Sequence, residues 1–127
     1  MENILDTHTF IWFIEGSEEL SKYAKKAIEN KNSTNYLSIA SLWEMAIKIA
    51  ANKLTLKASY SDIYDIIQQN GFEILPIKFE DTLLLSNLPY HHRDPFDRMI
   101  IAQCISNKFN LISKDKEFKS YPVPLLW

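Results

Sequence analysis

Short apolar runs, each followed by a helical stretch, recur along this chain, and their alternation limits the fold more than any other feature. Asn3-Ile4-Leu5-Asp6 reads as a buried strand ending on a carboxylate, and Thr7 to Ile14 as an apolar helix that Gly16 and Ser17 break. A second helix is expected from Ser21, a suitable N-cap, to about Asn30. Tyr36 to Ile39 reads as a strand and Ser41 to about Ala51 as a helix. Ser61 to Asn70 then forms a helix closed by Gly71, which can take a positive φ. Phe72 to Leu75 is a third strand and Phe79 to Ser86 a helix, followed by a loop to Arg93. Asp94-Pro95 fits the cap and first turn of a helix reaching about Lys108, apolar almost all round and so expected to be buried. Asn110 to Ser113 is a fourth strand, and Val123 to Leu126 a fifth at an edge that tolerates Pro122 and Pro124. This alternation predicts an α/β fold with a central parallel sheet of four or five strands and helices on both faces. Ligands in such folds bind outside the carboxyl ends of the strands.

No linker or repeat divides the 127 residues, so one domain over 1–127 is expected. With 46% hydrophobic and 24% charged residues, the chain is neither disordered nor fibrous. One cysteine, Cys104, allows no internal disulfide and no cysteine-based zinc site, which points to a reducing compartment and hence the cytoplasm. Gly16 and Gly71 alone cannot build a dinucleotide loop or a P-loop, and His8, His91 and His92 do not form a zinc-protease pair. No run approaches the ~20 apolar residues of a membrane helix, and the N-terminus does not resemble a signal peptide. Lys and Arg number 14 against 16 Asp and Glu, a net charge of -2, so no chain-wide positive field would hold nucleic acid. The chemistry falls to carboxylates.

Asp6, Glu44, Asp97 and Asp115 all fall where the predicted topology carries them toward one edge of the sheet. Acids gathered there repel one another unless a divalent cation compensates them. Magnesium or manganese suits an all-oxygen donor set, and a cation held this way keeps water that can attack a phosphodiester. A metal-dependent nuclease follows. Each acid also has a structural alternative. Ser41-Leu42-Trp43-Glu44 matches a capping box. Asp94 reads first as a cap because Pro95 follows it, Asp97 could complement the helix dipole, and Asp115 could be a loop residue. Asp6 is either exposed at a site or costly to bury.

Four segments, Leu5-Asp6-Thr7-His8, Ser41-Leu42-Trp43-Glu44, His92-Arg93-Asp94-Pro95-Phe96-Asp97-Arg98-Met99 and Leu111-Ile112-Ser113-Lys114-Asp115, together resemble the signatures of the PIN domain. The third is similar to the H-R-D-P-F-D-R sequence of the VapC-like toxin branch. The resemblance spans nearly the whole chain. It implies a three-layer α/β/α sandwich and a magnesium- or manganese-dependent endoribonuclease, commonly the toxin paired with a small antitoxin, and it favours a homodimer. It makes Asp6, Glu44 and Asp97 the central metal-binding acids, with Asp115 a fourth that acts through water. Thr7 would orient Asp6, while Asp94 and Ser113 would stand in an outer shell. Ser113 occupies a position where threonine is more common, and both offer a hydroxyl.

His92, Arg93 and Arg98 are candidate RNA contacts, with solvation as the alternative for the loop histidines and pairing with a local acid as the alternative for Arg98. His8 could edge the site or make a structural hydrogen bond. Lysines 22, 25 and 26, and lysines 114, 116 and 119, are solvated faces or local basic patches. Trp12, Trp43 and Trp127 read as core or interface residues. A catalytically silent PIN-like module acting through a protein partner is the alternative of a different class. A phosphoacceptor receiver is disfavoured because the third strand ends in Leu75-Pro76, and a haloacid-dehalogenase-type phosphatase because His8 replaces the second aspartate of its motif.

Overall fold

The computed structural model describes residues 1–127. Five strands run as β1 (Glu2–Leu5), β2 (Thr34–Ser38), β3 (Glu73–Leu75), β4 (Asn110–Ile112) and β5 (Leu125–Leu126). The helices are α1 (Thr7–Glu15), α2 (Lys22–Glu29), α3 (Ile39–Ala50), α4 (Ile63–Gln69), α5 (Phe79–Ser86) and α6 (Pro95–Asn107). All strands pair parallel in the order β3-β2-β1-β4-β5, which puts β1 at the centre. Successive side chains on a strand point to opposite faces, and the core divides accordingly. Leu5, Leu37 and Ile112 pack with Phe10, Ile28, Met45, Ile63 and Ile67 of α1 to α4. Ile4 and Leu111 pack on the other face with Ile100, Ile101 and Cys104 of α6. Two helical layers thus enclose the sheet.

Local chemistry sets the element ends. Asp6, Ser21, Ser38 and Asp94 cap helices α1, α2, α3 and α6 through their side chains. Gly16, at φ 64°, ends α1, and Gly71, at φ 72°, follows α4 as expected. Most boundaries shift by one or two residues from the sequence reading, and two of the shifts have a visible cause. Helix α3 starts at Ile39 because Ser38, rather than Ser41, accepts from the Ala40 N–H at 3.0 Å. Strand β2 begins at Thr34, inside the run expected to be a loop, because Asn35 is drawn into the sheet.

At the amino end of the sheet, Asn3 is paired in register with Asn35 on one side and Asn110 on the other. Asn3 donates to Asn35 Oδ1 at 3.1 Å and accepts from Asn110 Nδ2 at 3.1 Å, while Asn35 donates to the Ile28 carbonyl at 2.7 Å. Three amides across three strands form one hydrogen-bonded row, with Asn3 and Asn35 buried and Asn110 half-buried. A slip of one residue would strand them, so the row fixes the register that aligns the opposite, carboxyl ends. Asn3→Ala should therefore cost about 2 kcal/mol of stability in urea denaturation; an unchanged unfolding midpoint would contradict the role given to the row.

Candidate active site

Asp6 leaves the central strand directly into α1 and is 8% exposed. One carboxylate oxygen accepts from the Thr9 N–H at 2.9 Å and the other from the Ser113 hydroxyl at the end of β4. Ser113 also accepts from the Asp115 N–H at 3.1 Å. Burial raises the Asp6 pKa, and the hydrogen bonds from Ser113 and Thr9 oppose the rise.

Glu44 lies one turn into α3, 3% exposed. Thr7 Oγ1 lies 2.6 Å from Glu44 Oε1 and 2.9 Å from Ser41 Oγ. A hydroxyl has one proton; donated to the carboxylate, it leaves Ser41 to supply the other bond. Lys48, four residues on, closes a 2.5 Å ion pair with the second oxygen of Glu44, and that bond raises the lysine's pKa. Two expectations change here. Glu44 is not part of a capping box, because Ser41 is already inside the helix. Thr7 steadies Glu44 rather than Asp6.

Asp94 caps α6, accepting from the N–H groups of Phe96 at 2.8 Å and Asp97 at 3.1 Å. Asp97 stands in the first turn, partly buried, and its own carboxylate receives no hydrogen bond from the protein. Its pKa is pushed up to about 7, first by burial and then by the negative charges of Asp94, Asp6, Glu44 and Asp115. Acids from four separate segments thus act on one carboxylate. Asp115 itself accepts from the Glu117 N–H at 2.9 Å and lies 3.2 Å from His92 Nε2.

The candidate RNA contacts divide. Arg93 is exposed, but Arg98 and His92 are buried, at 7% and 6% exposure, and are unavailable to RNA. The Arg98 guanidinium donates to the carbonyls of Pro89 at 3.0 Å and Leu88 at 3.1 Å, with Leu85 and His92 at 3.5 Å, and lies under the Tyr90 ring. It pairs with no acid; it stitches the preceding loop to α6. His92 packs its ring flat on Phe118, 4.6 Å between centroids. His8 is exposed and, with Trp12 and Lys114, edges an open cavity of about 220 Å³ whose floor includes Asp6 and Asp115. Lys48 was missed in the sequence, although its spacing from Glu44 is that of a helical ion pair. The Thr7–Ser41 contact joins two helices and leaves no such trace.

The sequence matches the PIN domain over residues 4–124. The chain belongs to the PIN domain family. The PIN fold here is also that of chains in solved toxin–antitoxin assemblies. A chain of the VapBC2 complex from Rickettsia felis, bound to a promoter DNA fragment, superposes with a TM-score of 0.74 at 21% identity, covering 98% of this chain and 97% of that one. A chain of VapBC-1 from nontypeable Haemophilus influenzae gives 0.67 at 18% identity, over 98% and 96%. A toxin–antitoxin complex from Klebsiella pneumoniae gives 0.66 at 20%, over 94% and 92%. No curated protein matches the sequence.

The raised pKa makes Asp97 a burden on the metal-free fold. Unfolding returns it toward 3.8, so between pH 4 and 7 the unfolded chain binds fewer protons at this site and stability falls as pH rises. In chelator at pH 7.5, Asp97→Asn should melt at least about 2 °C above the parent, and the gap should close toward pH 4. A lower melting temperature at pH 7.5 would contradict the repulsion.

Proposed function

We propose that the chain is a magnesium- or manganese-dependent endoribonuclease, the toxin of a type II toxin–antitoxin pair acting in the cytoplasm. The observation that carries this reading is the state of Asp97, a carboxylate with no hydrogen bond, bearing the charge of four other acids. Its donor set fits a hard divalent cation: the groups are all oxygen, and Cys104, the one thiol, is buried in the core. Asp6, Glu44 and Asp97 would hold the ion, with Asp115 as a fourth acid. When bound, such an ion supplies an activated water and stabilises charge on the phosphate.

The chain's own residues do the positioning. Ser113 and the Thr9 N–H hold Asp6, Thr7 and Ser41 hold Glu44, and the Asp94 cap fixes the turn that carries Asp97. Arg93 and Lys114, both exposed, offer positive charge to an RNA backbone. The family and the toxin–antitoxin assemblies that share the fold support a small antitoxin as partner. Apolar side chains left exposed on α3, at Ile39, Trp43 and Ile47, and on α5, at Phe79 and Leu83, support a protein interface there, a homodimer included. No helix is long and apolar enough to cross a membrane.

One observation favours the alternative of a silent binding module: Lys48 already gives Glu44 a positive partner. Cleavage of a panel of structured RNAs by the purified, partner-free chain separates the two. The nuclease reading expects cleavage with magnesium or manganese, none with chelator, and a loss of more than about 100-fold in Asp6→Asn and Asp97→Asn with the fold intact. Metal-independent cleavage, or full activity in both folded variants, would end it; no cleavage and no metal uptake would favour the binding module.

A further inference from the structure

His92, Asp115 and Glu117 bring three ligand atoms within 4.8 Å of one another, the spacing of a cation site. The ring's other nitrogen decides against that use. His92 Nδ1 is buried and has no hydrogen-bond partner. A histidine that ligates through Nε2 carries its proton on Nδ1 and normally donates it to a carboxylate, carbonyl or water. Here that donor would face the interior unpaired, at the full cost of an unsatisfied buried polar group. A proton on Nε2 instead leaves only a bare lone pair inside and points an N–H at Asp115 Oδ2, 3.2 Å away, with Glu117 Oε2 at 3.7 Å.

The surroundings hold the ring in that pose. Phe118 stacks on it at an interplanar angle of 9°, and the Tyr121 hydroxyl accepts from the backbone N–H groups of His92 at 2.8 Å and His91 at 3.0 Å. The same hydroxyl donates to the Pro89 carbonyl at 3.1 Å. Asp115 is then fixed at both oxygens, one accepting from the Glu117 N–H at the start of a single short helical turn over Lys116–Ser120 and the other receiving the imidazole. We infer that His92 is a positioning residue, an imidazole that carries its proton on Nε2 and aims Asp115 at the cation site without ligating the ion. The inference rests on the metallonuclease reading given above.

Two measurements test it, one of them independent of activity and of metal. Nitrogen chemical shifts of the His92 ring in the metal-free chain should show the Nε2-protonated tautomer; protonation at Nδ1 would overturn the role. Calorimetric titration with manganese then compares three chains. His92→Phe keeps the flat ring on Phe118 and loses the donor, and should bind manganese at least about tenfold more weakly than the parent. His92→Gln restores an N–H at similar reach and should recover most of that loss, which a merely structural contribution of the ring would not predict. Manganese affinity in His92→Phe equal to that of the parent would overturn the positioning role alone. A parent chain that takes up no manganese would overturn the metallonuclease reading and this role with it.

Discussion

Negative charge converging at the carboxyl end of the sheet is the constraint around which the rest of this structure is arranged. Asp6, Glu44, Asp94 and Asp115 all press on Asp97, and partial burial removes the water that would screen them. Four of the five are restrained locally. Asp6 and Asp94 cap helices, Glu44 is clamped by Thr7 and Lys48, and Asp115 is held by its own turn and by His92. Asp97 alone is left with no partner. Such a cluster costs stability in the folded chain and is retained where a counter-charge is to be recruited, which ties the electrostatics to function.

The fold supplies this convergence by holding the two ends of the sheet to different tasks. At the amino end, the row of Asn3, Asn35 and Asn110 fixes how the three central strands align. At the carboxyl end, that alignment sets Asp6, just after β1, beside Ser113, just after β4, and brings α3 close enough for Thr7 to reach Glu44. The segment from His92 to Met99 combines both kinds of work. Asp94 and Asp97 face the acidic site, while Arg98 and His92 turn inward, one gathering loop carbonyls and the other bracing Asp115.

The sequence made the strand–helix alternation legible because burial on both faces of a parallel sheet demands continuous apolar runs, and because Asp94-Pro95 and Gly71 are strong end signals. Asp6, Glu44 and Asp115 were singled out by their places after strands, and Asp97 by its place at the start of an otherwise apolar helix. Three things were not legible. Asn35 read as part of a polar loop, since an amide looks solvated until its partners on neighbouring strands are known. Ser41 and Glu44 matched a capping box by spacing, yet Ser38 takes the cap, and only tertiary structure chooses between serines three residues apart. Arg98 and His92 looked like surface groups for RNA because their hydrogen-bond partners are backbone carbonyls, a phenol and a distant carboxylate, none of which leaves a periodic trace.

The central claim is that these carboxylates hold a divalent cation, and its most direct test is the proton balance of binding. An Asp97 with a pKa of about 7 is about half protonated at neutral pH, and a cation must displace that proton. Calorimetric titration with manganese at pH 7, in two buffers of different ionisation enthalpy, should show binding coupled to proton release, and the release should shrink in Asp97→Asn. Absence of binding, or binding that releases no proton in the parent chain, would contradict the account.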